Sequence, residues 1–169
     1  MYQTLTGKMS LQKITLVGLL VALGVVAAPF SIPVGVARVF PVQHAVNVIA
    51  GVILGPWWAV VAAVLTSTIR NMVGTGTLLA FPGSIFGAFG AGFAFMLFKR
   101  KEAAAVGELL GTGLVGSLLA FPVARWLLGA PVLAYTFIVP FALSSAAGIV
   151  LGIILLALLE KTGYFNGTS

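Results

Sequence analysis

The chain has 169 residues, of which 60% are hydrophobic and only 7% are charged, and its formal net charge is +6. A soluble domain carries about a quarter charged residues because its surface faces water, so this composition excludes a soluble globular protein and predicts a single integral membrane domain. Most basic residues stand singly at the ends of apolar runs, which argues against a nucleic-acid-binding face and favours signals of membrane topology.

Six apolar runs predict an all-α membrane bundle of six transmembrane helices spanning residues 1–169 as one domain. The first predicted helix covers residues 11–28. Residues 30–41, which include Pro33 and Arg38, are too interrupted to span a membrane and too apolar for a solvated loop. We therefore expect a re-entrant or lid-like first loop there. The remaining predicted helices cover residues 42–54, 57–72, 81–98, 103–128 and 134–159.

The lysines and arginines predict the orientation of the chain. Six spans place both termini on one side of the membrane. If that side is the cytoplasm, six basic residues lie inside and three outside, as the positive-inside rule favours. The sequence thus predicts a multi-pass protein of the cytoplasmic membrane with both termini cytoplasmic. The inner residues are Lys8, Lys13, Lys99, Arg100, Lys101 and Lys161, and the outer ones are Arg38, Arg70 and Arg125.

Polar residues near the outer ends of the predicted helices indicate a binding site, because polar groups in hydrocarbon need partners. All three outer cations are arginine, whose planar fork binds carboxylates, phosphates and planar heterocycles; snorkelling to lipid headgroups is the alternative for each. His44 and Asn47 share one helix face, and either can instead be a structural hydrogen-bonding residue. The polar candidates are Arg38, His44, Asn47, Arg70, Asn71 and Arg125, and the candidate aromatic walls are Phe40, Phe81 and Tyr135.

Catalysis is not expected, because three acids and one histidine supply no acid–base pair or triad. No metal site is expected around the single histidine. Glu108 is the one carboxylate inside an apolar run, and we expect it to pair with a nearby lysine or a partner protein close to the cytoplasmic face. The sequence contains no Walker motif, so the chain cannot drive transport by hydrolysing ATP itself.

Small residues recur at spacings that allow helices to approach closely. On the fourth and fifth predicted helices, Gly83, Gly87, Gly107, Gly111 and Gly113 favour packing inside the bundle. On the first predicted helix, the small residues suit either internal packing or the binding of a partner protein. These residues are Gly18, Ala22, Gly24 and Ala28.

Several motifs between residues 37 and 83 resemble the ThiW family. They are Ala37-Arg38-Val39-Phe40-Pro41-Val42-Gln43-His44-Ala45-Val46-Asn47, Gly55-Pro56-Trp57-Trp58, Thr66-Ser67-Thr68-Ile69-Arg70-Asn71, and Gly74-Thr75-Gly76-Thr77-Leu78-Leu79-Ala80-Phe81-Pro82-Gly83. The resemblance implies a substrate-binding S component of an energy-coupling factor transporter, which takes up the thiazole precursor of thiamine. It implies a six-helix fold with a vitamin site near the external face, roofed by the first loop.

The resemblance also implies partners: a transmembrane coupling protein, which docks on small residues of the first helix, and two ATPases. No organic cofactor is implied. The expected ligand is the hydroxyethylthiazole moiety, as the free alcohol or as its phosphate ester, which would suit the arginines better. The alternative function is a self-sufficient channel or secondary transporter for a small solute.

Overall fold

The computed structural model describes residues 11–34 and 37–162, and six helices and one β-hairpin lie in these ranges. The hairpin follows the first helix and consists of β1 (Ile32–Val34) and β2 (Ala37–Val39), paired antiparallel. The helices are α1 (Leu11–Val26), α2 (Pro41–Leu54), α3 (Pro56–Met72), α4 (Ala80–Phe98), α5 (Lys101–Leu127) and α6 (Ile138–Lys161).

Three of the helices, α4, α5 and α6, are long and apolar enough to cross a membrane. Helices α1 and α2 are also apolar but have only 16 and 14 residues. At 1.5 Å per residue, α2 is roughly 21 Å long, which is shorter than the hydrocarbon core of about 30 Å. The predicted all-α fold is confirmed, and three of the six helices have the length and composition to span a membrane.

The short helix α2 lies at the centre of the bundle, and every residue from Gln43 to Leu54 is buried. Its neighbours reach it through small residues. A Cβ atom on Gly51 of α2 would lie 3.0 Å from Ala91 Cβ of α4. Gly148 of α6 lies against the first turn of α2 in the same way. Because α2 is enclosed by its neighbours, its polar side chains Gln43, His44 and Asn47 are also buried and need partners inside the bundle.

Helices α4 and α5 are in backbone contact along a line of glycines. Gly90 faces Gly107, and a Cβ atom on Gly116 would lie 2.7 Å from Gly83 Cα. A Cβ atom on Gly111 would likewise meet the backbone of α4. The prediction that the small residues of these two helices pack inside the bundle is confirmed. Gly113 differs, because it faces Ala142 of α6.

The segment expected to be re-entrant or lid-like forms the β-hairpin. Ile32 pairs with Val39, and Pro33 pairs with Arg38. The backbone N–H of Phe40 donates a hydrogen bond to Ser144 Oγ at 2.8 Å, which fixes the end of the hairpin to α6.

The predicted helix boundaries lie within two residues of the observed ones, except at the start of the last helix. The last predicted helix begins at Ile138 rather than at residue 134, because residues 134–137 form turns and Thr136 Oγ1 accepts a hydrogen bond from the Leu133 N–H at 3.0 Å. The first ends at Val26 rather than at residue 28. Helix α5 also contains two wider π-helical segments, Gly111–Gly116 and Val123–Leu127.

Candidate functional site

A cavity of about 270 Å³ lies at the end of the bundle where α2, α4 and α6 begin and α3 ends, called here the cavity end. This volume is near the lower limit of small-molecule sites, which occupy roughly 300–1,000 Å³. Its wall is mostly apolar with a few polar groups, as in small-molecule sites generally. The lining residues are Arg38, Phe40, Gln43, His44, Arg70, Thr77, Leu79, Ala80, Gly83, Ser84, Phe141 and Ser144.

Arg70, in the last turn of α3, is held in place on several sides and is only 1% exposed. Its Nη1 donates to Gln43 Oε1 at 3.1 Å, and its Nη2 donates to the Thr75 carbonyl at 3.4 Å. The guanidinium carbon lies 4.0 Å from the centre of the Phe40 ring, in a cation–π contact. Arg70 therefore joins α2, the end of the hairpin and the loop after α3.

A cluster of polar side chains surrounds the Glu108 carboxylate next to the cavity. Oε1 of Glu108 lies 2.7 Å from His44 Nδ1 and accepts hydrogen bonds from Asn47 Nδ2 at 3.3 Å and from Thr112 Oγ1 at 2.9 Å. Ser145 Oγ donates to Oε2. Through these contacts the single Glu108 carboxylate links α2, α5 and α6. Since Glu108 is 0% exposed, the link lies inside the bundle.

His44 connects this cluster to the cavity. Its Nδ1 faces Glu108, and its ring lines the cavity. A carboxylate at Nδ1 favours the proton on that nitrogen, so Nε2 is the ring atom left to interact with a ligand. Gln43 extends the network, since its Nε2 lies 3.5 Å from Asn47 Oδ1 while its Oε1 accepts from Arg70.

The expected role of Glu108 is wrong. We expected a pairing with lysine or with a partner protein near the cytoplasmic face, but the carboxylate lies in the protein interior against His44. Lys101 pairs instead with Glu160, at 2.8 Å. The expectation that no acid–base pair can form is also wrong, because His44 and Glu108 form one. The error arose because position along a helix gives depth in the membrane but not the direction in which a side chain points.

The predicted site residues fall into three groups. Four line the cavity: Arg38, Phe40, His44 and Arg70. Asn47 is 1% exposed and contacts Glu108 next to the cavity. The structure does not bring the other four to the lining. Of these, Asn71 donates to the carbonyls of Ser67 and Thr77, Arg125 contacts the Val132 carbonyl, Tyr135 is 65% exposed, and Phe81 is half-buried.

Several lining residues were not predicted from the sequence. Gln43 is one turn before Asn47 on the central helix, and this spacing could have indicated it. Ser144 and its neighbour Ser145 are the polar residues in an otherwise apolar run, which was an available signal. No sequence signal distinguishes Phe141, which is one of 12 phenylalanines.

The four small residues of the first predicted helix do not share one face, and Ala28 lies beyond the end of α1. Gly18 and Ala22 are exposed, and a Cβ atom on Gly18 would meet nothing within 4 Å. Gly24 and Ala28 are buried, and a Cβ atom on Gly24 would lie 2.7 Å from Thr66 Cγ2 of α3. Only the first pair is thus available to a partner.

A comparison with protein families identifies the chain. The family described as "Thiamine-precursor transporter protein (ThiW)" matches residues 14–162, which is most of the chain. No curated protein and no solved structure was found to match it. Long apolar helices and a small, mostly apolar cavity agree with a membrane protein that transports a small molecule. The chain belongs to the ThiW family of thiamine-precursor transporters.

Proposed function

We propose that this protein is the substrate-binding S component of an energy-coupling factor transporter that imports the hydroxyethylthiazole moiety of thiamine. The observation that carries the proposal is the cavity of about 270 Å³, which can enclose one small heterocycle. The sequence provides no ATP-binding motif, so ATP-driven uptake requires partner proteins. The proposed partners are a transmembrane coupling protein and two ATPases.

The cavity wall has the chemistry that a thiazole ring requires. Phe40 and Phe141 offer aromatic faces, and Leu79 adds apolar surface. His44 and Ser84 supply polar atoms that can orient a ring nitrogen or a hydroxyl group. A mostly apolar wall with a few placed polar groups gives both affinity and orientation to a small ligand.

We propose direct ligand contacts for those predicted residues that line the cavity, namely Arg38, Phe40, His44 and Arg70, together with Gln43. Asn47 would support the site through its contact with Glu108. Asn71, Phe81, Arg125 and Tyr135 receive no direct role in this proposal.

The proposed orientation places the cavity end outside the cell and both termini in the cytoplasm. Arg38, Arg70 and Arg125 are at the cavity end, whereas Lys99, Arg100, Lys101 and Lys161 are at the opposite end. The excess of basic residues at that opposite end favours its cytoplasmic location. Lys8, which also supports this orientation in the sequence, lies outside the described residues. The coupling protein would dock on the exposed α1 surface at Gly18 and Ala22.

The proposal is tested by native mass spectrometry of the purified protein with thiamine, its thiazole and pyrimidine precursors, and their phosphates. We expect a one-to-one complex with a thiazole compound and weaker retention of the pyrimidine. Retention of the pyrimidine alone, or of none of these compounds, would reject the proposed substrate.

One observation favours a second candidate function, a proton-coupled secondary transporter. The buried pair of His44 and Glu108 lies beside the cavity, and buried ionisable pairs in membrane helices are typical of proton relays. Reconstitution of the chain alone in liposomes separates the two functions. The S component should release bound ligand without accumulating it, whereas uphill uptake driven by a pH gradient would establish the second candidate.

A further inference from the structure

The charged residues that line the cavity are all positive. Arg38 and Arg70 both line it, and none of its lining residues is acidic. The only carboxylate in the neighbouring cluster, Glu108, already accepts hydrogen bonds from three side chains and contacts His44. The cavity wall therefore carries positive charge without an acidic counterpart on its own surface.

Arg70 carries the inference. Its guanidinium is buried, its polar contacts are the neutral Gln43 side chain and the Thr75 carbonyl, and no ion pair to it occurs within residues 11–34 and 37–162. Its Nε atom is buried without a hydrogen-bond partner. An ionised group in a low-dielectric interior is costly unless a counter-charge lies close to it. Arg70 lines the cavity, so an anion bound there would supply that counter-charge.

Two other sources of negative charge are less suitable than a bound solute as the counter-charge of Arg70. Glu108 connects to Arg70 only through Asn47 and Gln43, so two neutral side chains separate the charges. A lipid phosphate could reach Arg38, which is exposed, but the acyl chains attached to it would keep it from entering a cavity of about 270 Å³. A small solute can enter the cavity, which both arginines line.

We propose that the ligand enters as a small organic anion, a phosphate monoester of the precursor alcohol, with the phosphate against Arg70 and Arg38. This inference rests on the proposed function and specifies its substrate. Arginine and phosphate form charge-assisted hydrogen bonds, which are about twice as strong as those between neutral groups. The heterocycle would then lie against the Phe141 side of the cavity.

Titration calorimetry in a neutral detergent without phospholipid tests the proposal. The ligands are the thiazole alcohol, its phosphate monoester and inorganic phosphate. The wild-type protein should bind the monoester at least about tenfold more tightly than the alcohol, because only the monoester can form charge-assisted hydrogen bonds with the arginines. Added salt should weaken binding of the monoester and leave that of the alcohol nearly unchanged.

Two variants assign the effect to the arginines. Arg70→Gln should remove most of the preference for the monoester, and Arg38→Gln should reduce it. Arg100→Gln is the matched control, because Arg100 has an exposed side chain at the opposite end of the bundle, and it should preserve the preference. If Arg70→Gln does not fold, the wild-type preference, its salt dependence and the Arg38→Gln result still decide the proposal.

The outcomes separate this inference from the proposed function. Equal or tighter binding of the alcohol would overturn the anion proposal while supporting the thiazole transporter. Failure of both thiazole compounds to bind would reject the proposed function itself. Repeating the titration with phosphatidylglycerol present identifies a headgroup site: if this lipid abolishes monoester binding, the arginines hold lipid phosphate and the proposal is wrong.

Discussion

Replacing Glu108 by alanine removes the acceptor that holds three helices together. Asn47 Nδ2 would keep the Ser84 carbonyl at 3.4 Å, and Thr112 Oγ1 would keep the Gly83 carbonyl at 3.0 Å. His44 Nδ1 and Ser145 Oγ would lose the carboxylate that they contact. The loss of stability therefore arises mainly from His44 Nδ1 and Ser145 Oγ, which are buried.

Two estimates give the loss in the free energy of unfolding expected for Glu108→Ala. Two unsatisfied buried groups at about 1–3 kcal/mol each give a loss of roughly 2–6 kcal/mol. The three bonds that join Glu108 to other helices, at about 0.6 kcal/mol each in membrane proteins, give a lower value of roughly 2 kcal/mol. We expect Glu108→Ala to lower the free energy of unfolding by about 2–4 kcal/mol. Glu108→Gln should cost less, because the amide oxygen still accepts one hydrogen bond.

The assay is unfolding in mixed micelles with increasing dodecyl sulfate, followed by tryptophan fluorescence. Glu102→Ala is the matched control, since Glu102 is also on α5. Its side chain is 62% exposed, and its ion pair is the long contact of 3.6 Å between Glu102 Oε2 and Arg100 Nε. An exposed pair of this kind contributes about 0–1 kcal/mol. Equal stability of the two alanine variants would refute the structural role assigned to the Glu108 cluster.

Two further predictions concern packing and orientation. Gly87→Ala should lower the free energy of unfolding by about 1–3 kcal/mol in the same assay, because the new methyl group would lie 2.8 Å from Glu108 Oε1 in a filled core. Gly18→Ala, which meets nothing within 4 Å, is its control and should not destabilise the protein; an equal loss in both would contradict the packing argument. In intact cells, an impermeant thiol reagent should label Tyr135→Cys but not Arg100→Cys; the reverse pattern would invert the proposed topology.

Hydropathy alone was sufficient to locate the helices, because lipid selects long apolar runs and Gly55-Pro56 marks a break between two of them. The hairpin was missed because its three-residue strands are too short to show a periodic pattern.

The sequence predicted which polar residues lie at the depth of the candidate site in the membrane, but not which of them point into it. Arg70 and His44 are polar residues near helix ends at the cavity end, and both line the cavity. Arg125 is also at that end but points away from the cavity, and its Nη1 contacts the Val132 carbonyl. Whether a side chain faces the interior depends on how each helix is rotated about its own axis. For α4 and α5 the glycine contacts set this rotation, and a single sequence does not reveal it.

The central position of α2 has a consequence for how the protein enters its membrane. A 14-residue helix that carries Gln43, His44 and Asn47 in its first two turns is both too short and too polar at one end for stable insertion by itself. A single residue, Gly55, separates it from α3, and its φ of 82° lies in the left-handed region that glycine tolerates. We therefore expect the insertion machinery to receive α2 and α3 as a helical hairpin, with α4 and α6 closing around α2 later in biogenesis.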